Sequence, residues 1–216
     1  APLVRRTEFP EHTDPGAALS VTDASGIDGV GGYLVIADCP QHIFLVSEYW
    51  PSDVQRALDE AAAERANRRP GAGQLAMPAA EAFGMLVSPL AAIAAAAQSP
   101  RTARAARCVD AVTAVGDCMP AVRALLSASS SSAQIRHLMS SMHLARRQWL
   151  AVHVRRELNV DPDRLSHPDQ LHNVVAEATA SGLIPVHAPV PGWCWDVLRA
   201  ALRLPTAVDE WDPRFA

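Results

Sequence analysis

Twice in this chain an apolar run stops at an aspartate. Leu19-Ser-Val-Thr-Asp-Ala-Ser25 stops at Asp23. The run from Val109 to Gly116 stops at Asp117, just before a helix start in Met-Pro-Ala-Val-Arg-Ala-Leu. Glu81 lies between them, at the opening of a long Ala/Leu-rich helix, and Asp163 lies beyond them in Asn159-Val-Asp-Pro-Asp-Arg-Leu-Ser166. The order reads strand-Asp, strand, strand, helix-Glu, strand-Asp, helices, strand, Asp-helix. Such an order calls for an α/β fold that gathers four carboxylates from distant positions at one edge of a sheet. A cluster of that kind repels itself unless divalent cations neutralise it, so it implies hard metal ions on oxygen ligands.

The rest of the chain supplies the elements. Residues 1–16 read as an arm or linker. Leu19 to Thr22 is a short strand; Gly29 to Ile36 and His42 to Ser47 form a hairpin across Ala37 to Gln41. A capping box, Ser52 to Gln55, starts a charged Ala-rich helix that ends at Arg68-Arg-Pro-Gly-Ala-Gly73. The next helix starts at Met77-Pro78, carries Glu81 in its first turn and runs toward Gln98, with Pro89 expected to kink or divide it. A fourth strand spans Arg107 to Val115, and Pro120 to Leu126 is a short helix. The serine-rich stretch from Ser127 to Ala133 is a loop. Gln134 to Gln148 is an amphipathic helix with Ile135, Leu138, Met142 and Ala145 on one side, and Trp149 to Val154 is a fifth strand. A helix from His167 ends near Gly182. A Pro-rich link, Ile184 to Pro191, then leads to a last helix from Trp193 to Leu204. The expected organisation is an arm (1–16), an α/β domain (17–182) with a helical insertion after strand three, and a C-terminal helical extension (183–216).

Composition sets outer limits. The chain has 216 residues, 49% hydrophobic and 19% charged, which is a globular balance. All 19 basic residues are Arg and the net charge is −4. That charge does not advertise a nucleic-acid binder, yet it is compatible with one whose acids hold cations that bridge to phosphate. Cys39, Cys108, Cys118 and Cys194 show no CxxC pair and no zinc spacing, so free thiols in a reducing, intracellular compartment (cytoplasm or nucleus) are expected. No membrane span is expected, because Pro89 cuts the Ala-rich stretch from Met77 to Ala97. A polar, Pro-containing start without Met suggests a piece of a longer protein.

Four motifs together carry a resemblance. They are Thr22-Asp-Ala-Ser25 followed by Gly29, Gly31 and Gly32; Ala80-Glu-Ala-Phe-Gly-Met-Leu86; Val115-Gly-Asp-Cys-Met-Pro-Ala-Val122; and His153-Val-Arg-Arg-Glu-Leu-Asn159 continued through Asp163-Arg-Leu-Ser166. The last is the most specific. Over roughly Ala17 to Ser181 the chain resembles the ribonuclease H domain of reverse transcriptases, most closely the type in tyrosine-recombinase retroelements and hepadna-like elements. The resemblance implies a ribonuclease H-like mixed five-stranded sheet flanked by helices. It also implies hydrolysis of the RNA strand of RNA–DNA hybrids with two Mg²⁺ ions, Mn²⁺ substituting, and a polymerase domain in the same parent protein. Asp23 would bridge both ions, Glu81 and Asp117 would complete one site, and Asp163 would bind the other. The hybrid would be gripped by Arg155 and Arg156, with Arg146 and Arg147 on the preceding helix; Arg104 and Arg107 offer a second patch.

The sequence departs from the family in places. Gly116 and Cys118 flank Asp117 where the family has Thr and Asn, Ser52 to Gln74 is inserted, and His153 falls in a strand where many cellular members have a loop histidine. Bland readings also stand beside each acid. Glu81 suits a positive helix end, Asp117 an N-cap, Asp23 a turn, and Asp161 competes with Asp163. Trp193, Trp195 and Trp211 fit burial better than base stacking. Two alternatives to the nuclease therefore remain: an inactive ribonuclease H-like scaffold in a larger assembly, and a DNA-directed nuclease of the same fold.

Overall fold

A computed structural model describes residues 16–67, 76–142 and 148–204. Among these the strands are β1 (Ala17–Ala24), β2 (Gly29–Ile36), β3 (His42–Tyr49), β4 (Ala111–Gly116), β5 (Gln148–His153) and β6 (Ile184–His187). The helices are α1 (Ser52–Asn67), α2 (Ala76–Gln98), α3 (Ala103–Cys108), α4 (Met119–Ser127), α5 (Ala133–Ser141), α6 (Val160–Leu165), α7 (Leu171–Ala180) and α8 (Gly192–Leu202). They build one mixed sheet in the order β5-β4-β1-β2-β3-β6. The β1–β2 and β2–β3 pairs are antiparallel; β1–β4, β4–β5 and β3–β6 are parallel.

Helices cover both faces. The larger core joins Leu34, Ile36, Phe44 and Val46 of the sheet to Phe83, Met85 and Leu86 of α2 and to Ile135 and Leu138 of α5. On the other face Tyr33, Val35, Ile43 and Leu45 meet Leu165 of α6 and Val174 and Ala178 of α7. Strands β2 and β3 are therefore apolar on both faces, which is why they read as unbroken hydrophobic runs.

Four sequence expectations change. The sheet has six strands, not five, because the segment expected as a Pro-rich link supplies β6. Ile184 N–H donates to Gln41 O at 2.7 Å and Ala188 N–H to Leu45 O at 2.8 Å. Pro185 falls between these inward-facing positions on an edge strand, where its missing N–H removes no ladder bond. The fourth strand begins at Ala111 and not at Arg107, since Ala103–Cys108 forms α3 with Ala105 and Ala106 buried. Helix α5 ends at Ser141; the rest of the expected helix, with Ala145, Arg146 and Arg147, lies outside the described residues. Pro89 does not divide α2, which runs through it as one 23-residue helix. Met77–Gln98 is thus long and apolar enough to cross a membrane by length and composition, but 78% of its apolar window is buried in this fold as the central core helix.

The C-terminal segment docks on the same body. Cys194, Leu198 and Ala201 of α8 are buried. Trp195 packs edge-on against Trp50 with ring centres 6.1 Å apart, and against Phe83 at 5.3 Å. Arg199 forks onto Asp53 of α1 through Nε at 2.7 Å and Nη2 at 3.2 Å. Trp195 is thus the anchor, whereas Trp193, expected to share that role, is 49% exposed; Trp211 lies outside the described residues. Deleting the chain after Ser181 strips β3 of its neighbour and uncovers this core. It should lower stability by about 5 kcal/mol or more, which is about 10 °C or more in Tm. A truncated protein that melts normally but no longer binds hybrid would instead make the segment a substrate-binding element.

Candidate metal centre

Parallel pairing brings two of the acids together. Val21 on β1 is in register with Val115 on β4. Asp23 and Asp117, each two residues further along, therefore leave the same end of the sheet side by side. Asp23 sits on a central strand between β2 and β4 and is only 6% exposed. Glu81 reaches the same point from α2, which packs across β1 and β2. Gly84, one turn on, allows that approach: a Cβ there would lie 3.2 Å from Val30 Cγ2 and 3.6 Å from the Asp23 carbonyl oxygen. Glu81 lies in the second turn of α2 and not the first, which holds no acid. The positive helix end thus gives no account of it.

The result is a cluster in which Asp23, Glu81 and Asp117 each present a carboxylate oxygen within 4.8 Å of the others. Burial, reinforced by the charge of Asp117, raises the Asp23 carboxyl from 3.8 to about 6. Burial first, then Asp23 and Asp117, raises Glu81 well above the usual carboxylate range. Carboxyls packed this closely resist ionisation on their own, and a bound cation would relieve that cost. Neighbouring Cys118 has its thiol pushed up to about 11, chiefly by burial. That leaves oxygen as the available donor type and favours a hard divalent ion.

Asp163 approaches from α6 and stands apart from this group of three. Its charge acts on Asp23, and its Oδ1 lies 3.9 Å from Arg156 Nη2 at the surface. Asp161 is 8% exposed, and its Oδ1 lies 3.7 Å from Arg164 Nη1. If the cluster holds a cation that Asp163 helps to bind, Asp163→Asn should weaken Mn²⁺ binding about 10-fold or more. Asp161→Asn should leave the metal requirement unchanged and lower Tm. Metal titrations of the two variants separate these outcomes, and the reverse pattern would put the register of this segment in error.

The seat of α6 is fixed by a glycine. A Cβ on Gly31 of β2 would lie 2.1 Å from both Leu165 C and Ser166 N, so only a glycine lets the helix backbone rest on the strand. Ser47 on β3 donates its hydroxyl to Leu165 O at 2.6 Å. One α6-flanking residue then reaches Asp23: Asn159 Nδ2 lies 3.3 Å from Asp23 Oδ1. Ser166 donates its hydroxyl to the Asp163 carbonyl at 2.8 Å. Sequence reasoning used Asn159 only as a spacing mark and missed its contact. His153, at the exposed end of β5, places its ring Nε2 3.0 Å from the Asp117 carbonyl oxygen.

The basic residues divide by location. Arg155 and Arg156 are exposed beside the cluster and line, with Glu157 and Leu158, an open concavity of about 630 Å³. Arg104 lines another of about 520 Å³ with Gly16, Asp38, Arg101, Ala105 and Cys108. That one adjoins the start of β1, at the opposite end of the strand from Asp23, so the Arg104 and Arg107 patch is remote from the carboxylates. Comparison with protein-family models, with curated proteins and with solved structures gives no match.

Proposed function

We propose that this chain is a divalent-metal-dependent endonuclease that hydrolyses the RNA strand of RNA–DNA hybrids, the ribonuclease H domain of a retroelement-type reverse transcriptase with a polymerase in the same parent protein. One observation carries the reading. Three carboxylates from a strand, a helix and a strand end converge within 4.8 Å, in the order that the motifs around them led one to expect. The mixed sheet flanked by helices is consistent with the same family in general terms.

The donor set suits Mg²⁺ or Mn²⁺, since it is all oxygen and carries two crowded carboxyls whose ionised form a nearby cation would favour. Asp23, Glu81 and Asp117 would hold the cations, with Asp163 completing the set from α6. Two ions held there would supply Lewis-acid chemistry for activating water and stabilising a leaving 3′ oxygen. The protein's own part is placement: Asp23 deep and central, Glu81 and Asp117 on either side, and no side chain needed as nucleophile. Arg155 and Arg156, exposed in the open concavity they line, would contact backbone phosphates of a bound duplex, and recognition of RNA would run through 2′-hydroxyls in a shallow minor groove.

The test is a cleavage assay with end-labelled RNA–DNA hybrid, RNA duplex and DNA duplex in Mg²⁺ and in Mn²⁺. Cutting confined to the RNA strand of the hybrid is the expected result. Cutting of duplex DNA would favour a DNA-directed enzyme, and no cutting of any substrate would favour an inactive scaffold.

A further inference from the structure

Asn159 breaks a local rule. It stands at the N-terminal cap of α6, where an asparagine side chain ordinarily accepts a hydrogen bond from the first turn of its own helix. Here it makes no such bond. Its amide turns inward, 1% exposed. Nδ2 donates to the Thr22 carbonyl at 3.1 Å and faces Asp23 Oδ1 at 3.3 Å, 136 residues away in sequence. Its own Oδ1 is buried with no hydrogen-bond partner. The amide cannot be turned round, because both neighbours of Nδ2 are acceptors and would repel an oxygen. An uncapped helix end and an orphaned acceptor both work against stability. Local rules broken without a gain in stability mark functional positions.

We propose that Asn159 is a positioning residue for the metal centre, whose amide holds the deep Asp23 carboxylate in the orientation that keeps it beside Glu81 and Asp117 before a cation binds. Three mutually repelling carboxylates tend to turn apart toward water. A donor fixed in the protein interior opposes that for the one carboxylate with least access to solvent. Ser166, at the other end of α6, donates its hydroxyl to the Asp163 carbonyl at 2.8 Å and so ties the end of the helix to the residue that carries the outlying acid. One short helix thus both grips the central ligand, through Asn159, and carries the outlying one. The seat of the helix on Gly31 and the Ser47 bond to Leu165 O hold that grip in place. Such supporting hydrogen bonds commonly govern metal affinity as much as a ligand does.

The inference rests on the cluster being a metal centre and not on any substrate. Its test is Mn²⁺ titration of the full chain, with free Mn²⁺ followed by electron paramagnetic resonance, for wild type, Asn159→Leu and the smaller Asn159→Ala. Both variants should bind Mn²⁺ about 10- to 100-fold more weakly. Both variants leave the buried Thr22 carbonyl without its donor, so each should melt lower than wild type in the metal-free state, and Mn²⁺ affinity measured where both remain folded is the deciding readout. On hybrid, kcat should fall while KM stays within about twofold. Unchanged Mn²⁺ affinity in both variants overturns the proposal, and a lowered melting point with unchanged affinity assigns Asn159 a structural role only. A wild-type protein that binds Mn²⁺ in an Asn159-dependent way but leaves hybrid uncut keeps the positioning role and removes the hydrolytic reading. A wild-type protein that binds no Mn²⁺ removes both.

Discussion

Asp23→Asn should abolish hybrid cleavage, by about 10³-fold or more, and at the same time stabilise the metal-free protein at pH 7. The second effect follows from linkage. The Asp23 carboxyl sits at about 6 in the folded protein against 3.8 without the fold. Its contribution to stability is therefore fully present below about pH 3.8 and is lost as pH rises through about 6. Above that, holding the ionised form inside the cluster costs about 3 kcal/mol, and an asparagine of the same shape relieves it. In chelator, Tm of the variant should exceed that of wild type by about 5–10 °C at pH 7, and the two should converge toward pH 4. Glu81→Gln should behave in the same direction, since its carboxyl is also raised. Added Mg²⁺ should stabilise wild type and not the variants. Thermal melts across pH 4–8 with and without metal check this. A lower Tm for Asp23→Asn at pH 7 would mean that the acid serves the fold and not a cation.

Gly31→Ala should be severely damaging for a single added methyl. The added carbon would lie 2.1 Å from backbone atoms of Leu165 and Ser166, and backbone cannot swing aside as a flexible side chain can. Helix α6 must lift, breaking the Ser47 bond to Leu165 O and drawing Asn159 away from Thr22 and Asp23. The expected loss is about 3 kcal/mol or more, with Mn²⁺ affinity falling in parallel. Gly192→Ala is the control: nothing lies within 4 Å of a Cβ there, so its effect should stay within about 0.5 kcal/mol. Denaturant titrations of the two variants decide the matter, and equal stabilities would show that α6 is not seated on Gly31.

The parts of this architecture legible in the sequence were those set by local pattern. Apolar runs ending in Asp23 and Asp117 gave the two parallel strands, and the Glu81 context gave the core helix. Their convergence was a matter of order along the chain, made physical by the Val21–Val115 register. What escaped notice was set by tertiary context. Strand β6 looked like a linker because Pro185 suggests one, and only the exposed edge of β3 makes a Pro-containing strand acceptable. Arg107 and Cys108 read as strand because they run directly into the apolar stretch of β4, while the Thr102 hydroxyl donates to Ala96 O and ties the start of α3 to the end of α2. Trp193 and Trp195 could not be told apart by type; only their places on α8 leave one against Trp50 and the other half exposed. The role of Asn159 was hidden because its partner lies 136 residues away. The placement of Arg146 and Arg147 lies outside the described residues.

Anomalous diffraction from crystals soaked in Mn²⁺ tests the central claim most directly, because it locates the cation without relying on turnover. The account predicts an anomalous peak within bonding distance of carboxylate oxygens of Asp23, Glu81 and Asp117, lost in Asp23→Asn. Mn²⁺ bound only elsewhere, with these three carboxylates left bare, would contradict it.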